Sequence, residues 1–230
     1  MPVRQYFFLM KIIRVVDLSH PINEQTQVYP GDPVPKIVQH STIARDGFNL
    51  MSIEMGSQSG THVDAPFHFD DNTARIDELD LKFFVGEALV VDCGALEARQ
   101  CITWEKVSSQ IPDADVPQIV IFKTLWSSYY GTDAYFENPY LDADLVRRLL
   151  AAGVRTFGLD AINIDETPDE THPGVGFPAH HLIAEAGGVI CENLTNLEAI
   201  SFARPVISLL PMKFVGIDGA PVRAVAMEVE

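Results

Sequence analysis

Basic side chains are scarce in this sequence. It holds 16 Lys and Arg against 32 Asp and Glu, a formal net charge of −16. Such a surface repels phosphate backbones and anionic lipid, which excludes nucleic acid and membrane as partners. Cysteine is scarcer still. Cys93, Cys101 and Cys191 are an odd number without a C-x-x-C spacing, so there is no disulfide framework and a reducing cytoplasm is expected. Long apolar runs are missing. Tyr6 to Met10 is cut off at once by Lys11 and Arg14, too short for a span or a signal segment. There is no internal repeat. A serine nucleophile is also missing from the one stretch that resembles its elbow, Gly56-Ser57-Gln58-Ser59-Gly60, because Gln58 stands where G-x-S-x-G needs serine.

What is present is a chain of 230 residues, 47% hydrophobic, enough for one domain with a full core. Residues 1–10 read as a disordered N-terminal extension, with Met10 as an alternative start, and residues 11–230 as the domain. The most chemically loaded stretch is Gly60 to Phe69, G-T-H-V-D-A-P-F-H-F. His62 and Asp64 are two apart, so on extended backbone they point to one side. Imidazole and carboxylate converging on one point suit zinc, manganese or iron. Pro66 has no amide donor and ends the strand. His68 falls beyond that turn, near enough to serve a reaction at the cation without binding it.

Elsewhere β-branched runs predict strands over 11–18, 34–39, 48–55, 88–92, 119–123, 156–160 and 189–192. Asp142 to Ala152 is the clearest helix: Asp142 can cap it, and Leu145, Val146, Leu149 and Leu150 form one face. Thr103 is expected to cap a shorter helix, and Pro178 to open another that ends at Gly187-Gly188. Asp218-Gly219 reads as a hairpin turn between the last two strands. Helices and strands do not alternate regularly, so the fold is α+β, or a layered β/β/α arrangement, and not a doubly wound sheet. Tyr29, Phe67, Phe69 and Trp126 are candidates for the wall of a pocket that takes a planar small-molecule substrate.

From Gln58 to Phe69 the chain reads Q-S-G-T-H-V-D-A-P-F-H-F. This resembles the H-x-G-T-H-x-D-x-P-x-H-F motif of the cyclase family of metal-dependent hydrolases, which includes bacterial-type kynurenine formamidases and isatin hydrolase. The similarity continues in D-L-S-H-P-I from Asp17, Y-P-G-D-P from Tyr29, G-L-D from Gly158, and from His180 through C-E-N-L at Cys191. The resemblance implies a single layered, swivelling-type domain with a central β-structure, usually a homodimer. It makes His62, Asp64, His180 and Glu192 metal ligands and His68 the catalytic acid/base. His181 is an adjacent rival, but His180 has the family's spacing to Glu192.

Gln58 departs from the motif. In formamidases the histidine at this place helps hold a second zinc, and an amide is a weaker ligand. Two carboxylates, Asp64 and Glu192, balance one divalent cation. One zinc or manganese ion is therefore expected, with a second site, to which Gln58 would belong, weak or absent. The expected reaction is metal-assisted hydrolysis of a C–N bond in an amide, aryl formamide or small lactam, with His68 moving the proton. The alternatives are a cyclase or lactone hydrolase using the same site, and a binding protein that kept the fold without the chemistry.

Overall fold

The computed structural model describes residues 11–230. The expected extension over residues 1–10, and the choice of start, lie outside the described residues. Among the described residues thirteen strands are present: β1 (Ile12–Asp17), β2 (Lys36–Ser41), β3 (Leu50–Glu54), β4 (His62–Asp64), β5 (Val85–Asp92), β6 (Cys101–Ile102), β7 (Ile119–Lys123), β8 (Tyr140–Leu141), β9 (Thr156–Leu159), β10 (Val189–Glu192), β11 (Val206–Ser208), β12 (Gly219–Pro221) and β13 (Val225–Val229). Four α-helices accompany them: α1 (Ile43–Asp46), α2 (Trp104–Val107), α3 (Ala143–Ala151) and α4 (Pro178–Glu185).

Nine strands make one mixed sheet in the order β1-β13-β11-β5-β7-β9-β10-β4-β12. The middle four are parallel and both flanks are antiparallel. The parallel strands are the apolar ones, as burial on two faces requires. Along β7 the period of two is visible in the core: Val120 and Phe122 face one cluster, Ile119 and Ile121 the other. The first cluster takes the apolar face of α3 (Leu145, Val146, Leu149) and Ala179 and Ile183 of α4. The second is closed by the curling sheet itself, through Val16, Leu18, Val63, Ile207 and Ala226. Each fully buried aliphatic side chain contributes roughly 1.5–3 kcal/mol. The α+β expectation holds: a curled central sheet carries its two longest helices on one face.

Helix α3 begins where its pattern says it should. Asp142 accepts from the Asp144 amide, and Gly153 takes φ 97 beyond the last turn, the left-handed stop that favours glycine. Two expectations fail. Thr103 makes no side-chain cap at α2. Asp218-Gly219 is not a hairpin: Gly219 starts β12 and pairs with Asp64 of β4, while β13 pairs with β1 and β11. Pairing on the sheet edge overrides the local turn preference. That placement brings the last part of the chain onto the histidine-rich strand. Gly219 has no room for a side chain, since a Cβ would lie 2.5 Å from the Val63 carbonyl and 2.8 Å from Gln58 Nε2.

Candidate metal centre and acid/base site

The site begins with the register of β4. His62 and Asp64 share a face, and the antiparallel neighbour β10 sets Glu192 directly opposite His62. His180 arrives from the first turn of α4, behind Pro178. All four side chains are buried. His62 Nε2 lies 3.4 Å from Asp64 Oδ1 and 3.7 Å from Glu192 Oε2. His180 Nε2 lies 3.7 Å from Asp64 Oδ2 and 3.5 Å from Glu192 Oε1. Neighbouring ligand atoms around a tetrahedral cation with ~2.0–2.1 Å bonds are about 3.3 Å apart. His62, Asp64 and Glu192 each bring one donor atom within 4.8 Å of the others, and His180 approaches the remaining oxygen of both carboxylates.

The other end of each side chain is held by the fold. His62 Nδ1 is 2.8 Å from the Gly60 carbonyl, so the proton sits on Nδ1 and Nε2 faces the centre. Gly60 takes φ +66, a left-handed turn that aims its carbonyl. His180 Nδ1 donates to Asp165 Oδ2 at 2.8 Å, and the same carboxylate accepts from the Ala179 and His180 amides. Asp165 therefore caps α4 from outside and orients its histidine at once. Glu192 Oε1 accepts from the Ile164 amide at 2.7 Å.

The donor set fits a divalent cation on a further count. Both carboxylate oxygens of Asp64 are buried without a hydrogen-bond partner, a state that costs several kcal/mol unless a cation is adjacent. Burial opposes a charge on Asp64, but the His180 and His62 imidazoles outweigh it and hold the carboxyl far below its usual range. Burial likewise opposes a charge on His62 and His180, yet the acidic partners raise them to about 9 and about 10. Burial raises Glu192 to about 7. Without a cation the two imidazoles supply the positive charge; a divalent cation supplies the same two charges in their place.

Beside this dry quartet is a wetter group. His68 stands at the end of the turn Pro66–His68 with 30% of its side chain exposed. Its Nδ1 lies 3.0 Å from Asp218 Oδ2. Burial would lower its pKa, but Asp218 and the charge of Asp64 raise it. Both groups open on one cavity of about 400 Å³, lined also by Tyr29, Asp32, Phe69, Asn163 and Phe177. Phe69 stacks on His180 with centroids 4.2 Å apart and meets Phe177 edge-on at 5.6 Å.

Thus His62, Asp64, His180 and Glu192 come together, with His68, Tyr29 and Phe69 on the same cavity. Two expected site residues do not take the expected places. Phe67 turns away and lies under the Arg75 guanidinium at 4.1 Å. Trp126 is buried in the core, its Nε1 donating to the Tyr135 carbonyl, because an aromatic cluster in a connection fills the core as readily as a pocket. Gln58 lines the cavity, and its amide nitrogen donates to Asp218 Oδ2 at 2.7 Å while its amide oxygen is buried without a hydrogen-bond partner. The acid at the end of β9, Asp160, is also outside the site, accepting from Thr124 and Leu125. The residues missed from sequence are Asp218 and Asp165. Asp218 was masked by its Asp-Gly turn signature, and Asp165 by an acidic loop that looks merely solvated.

The Cyclase family model ("Putative cyclase") matches residues 16–166. The chain is 31% identical over 219 residues to a kynurenine formamidase of Bacillus thuringiensis subsp. konkukian (strain 97-27), covering 94% of this chain and 98% of the relative. Its fold is similar to isatin hydrolase A from Labrenzia aggregata bound to benzyl benzoate, with a TM-score of 0.82 at 26% identity and 94% of each chain covered. It is similar too to a solved protein titled as a potential metal-dependent hydrolase with cyclase activity, with a TM-score of 0.75 at 28% identity, covering 95% of this chain and 98% of the other. The chain belongs to the cyclase family of metal-dependent hydrolases.

Proposed function

We propose that this protein hydrolyses the C–N bond of a small amide, an aryl formamide or lactam, with one zinc or manganese ion held by His62, Asp64, His180 and Glu192. The observation that carries this is the buried quartet, with Asp64 unpartnered, opening on the same cavity as the His68–Asp218 pair. When bound, the cation polarises a carbonyl and makes water acidic near neutral pH. The protein's own groups do the rest. His68 takes up the proton of the attacking water and returns it to the leaving nitrogen, the general acid/base work for which an imidazole is suited. Phe69, Phe177 and Tyr29 form an apolar wall for a planar substituent. A cavity of this size suits a small aryl amide.

A single cation follows from charge and from Gln58. Asp64 and Glu192 balance two positive charges, and the side chain at position 58 is a neutral amide, a weaker ligand than imidazole for a second ion, with its nitrogen bonded to Asp218. A homo-oligomer is part of the same reading. The β2–β3 hairpin stands off the main sheet and leaves Val38, Ile43, Leu50, Met51 and Ile53 each 46–65% exposed, more apolar surface than a monomer usually shows in one place. The three cysteines are unpaired, in keeping with a reducing cytoplasm. No helix among the described residues is long and apolar enough to cross a membrane.

The deciding experiment is aryl formamide hydrolysis by purified protein, stripped by chelation and reloaded with zinc or manganese one at a time. Activity lost on stripping and restored at one ion per chain is expected. Turnover that survives complete chelation would sink the proposal.

A further inference from the structure

Asp218 has no part in the metal quartet, yet it is among the best-anchored groups on the cavity. Its backbone carbonyl accepts from the Ala65 amide at 2.8 Å, which ties it to the strand that carries His62 and Asp64. Its Oδ1 accepts from Ser57 Oγ at 2.9 Å. Its Oδ2 accepts from Gln58 Nε2 at 2.7 Å and lies 3.0 Å from His68 Nδ1. Three side chains thus converge on one carboxylate, 150 residues away from the histidine it touches.

The hydrogen-bond roles at His68 can be assigned. Ser57 and Gln58 each donate to Asp218, which leaves the carboxylate an ionised acceptor. Its pKa is held at about 2, first by His68 and, against burial, by Gln58 and Ser57. An ionised oxygen facing Nδ1 requires a proton on Nδ1. Among the described residues its other hydrogen-bond contact is the Gln58 amide nitrogen at 3.3 Å, a neutral donor that is itself already bonded to Asp218. The Nδ1–H form leaves Nε2 as the basic nitrogen. A histidine whose far nitrogen is held by a buried or half-buried carboxylate keeps one tautomer and one ring orientation, and this is what a general base requires.

We propose that Asp218 is the positioning residue for His68, and that Gln58 with Ser57 serves to hold Asp218 and does not bind the metal. The role of His68 in hydrolysis rests on the function proposed above; the pairing itself does not. Gln58 fits its place as a wedge. Its amide oxygen is buried without a partner and is packed where a Cβ on Gly219 would come within 3.0 Å. It can rotate neither toward the quartet nor into the cavity without breaking its bond to Asp218. The departure from the family motif at position 58 thus alters what supports the acid/base and not how the cation is held.

The test uses full-length, zinc-loaded protein labelled with [15N]histidine. The His68 resonance is assigned by its loss in His68→Gln, and long-range 1H–15N correlations read its tautomer. In the unmodified protein His68 is expected as the Nδ1–H form. In Asp218→Asn the carboxamide can donate to Nδ1, so the ring is expected to switch to the Nε2–H form. On an aryl formamide, kcat then falls by about 10²-fold or more, with KM within about threefold and zinc per chain unchanged. Gln58→Ala is expected to keep full zinc content and to loosen the His68 signal. Finding His68 as the Nε2–H form in the unmodified protein overturns the proposal, and so does loss of zinc in Gln58→Ala. If no amide is turned over at all, the function proposed above fails, and the tautomer and zinc measurements alone still decide the pairing.

Discussion

The two halves of the site are built from opposite materials. The quartet of His62, Asp64, His180 and Glu192 is dry, with side chains 4–8% exposed. The His68–Asp218 pair beside it is about 30% exposed. The first half is carried by the inner strands β4 and β10 and the first turn of α4; the second is carried by a short turn after β4 and the residue that leads into β12. Without a cation the buried carboxylates depend on protonated imidazoles to balance them, and a divalent cation would take over that role by displacing the protons. Partial exposure would let His68, in the acid/base role proposed for it, exchange protons with water. One cavity joins a group that must exclude water to a group that must reach it.

The largest test of that division removes a dry ligand. His62→Ala is expected to lose the bound metal and to lower turnover on the order of 10³-fold or more, read as metal per chain alongside the rate. Removing the wet group separates the halves. His68→Gln should lower kcat about 10²–10⁴-fold with metal content intact; metal loss in this variant would show the halves to be one unit.

Proton competition sharpens the contrast further. His62 and His180 are raised to about 9 and about 10 without a cation. Below pH 9 both are then protonated in the metal-free protein, and each must give up a proton to bind. The sign follows: between about pH 7 and 9 affinity falls as pH falls, by about 100-fold per unit with about two protons released, and more steeply below pH 7 where Glu192 also takes up a proton. Calorimetry in buffers of different ionisation enthalpy counts them. Release near zero would place neutral imidazoles in the metal-free quartet.

The smallest effects concern the aromatics. Phe69→Ala, on the cavity wall, is expected to raise KM for an aryl amide several-fold, about 1–2 kcal/mol of apolar contact. Trp126→Phe should leave KM unchanged and cost about 1–3 kcal/mol of stability, because Trp126 is core and its Nε1 bonds the Tyr135 carbonyl. A changed KM in Trp126→Phe would put this ring back at the cavity.

Much of the dry half was legible in the chain. A period of two carried His62 and Asp64 to one face, and Pro66 marked the turn that sets His68 apart. The signature of α3, from Asp142 to Gly153, came through almost residue for residue. The wet half was largely hidden. Asp218-Gly219 has the local chemistry of a hairpin turn, and nothing nearby shows that Gly219 pairs with Asp64 instead. Gln58 was conspicuous as a departure, but its partner lay out of sight 160 residues on. Trp126 and Phe67 misled because an aromatic ring fits a core or a cation as well as it fits a ligand.

The amino-acid sequence by itself determined the kinds of donor, their spacing along β4, and the acidic, cysteine-poor composition. Covalent geometry is enough for that, since neighbours two apart on a strand have one relation. Only the tertiary structure decided that His180 and Glu192 close on Asp64, that Asp165 aims His180, and that Asp218 answers His68. Those distances depend on the β4–β10 and β4–β12 registers and on the docking of α4. A slip of one residue in either register would turn the whole set to the other face.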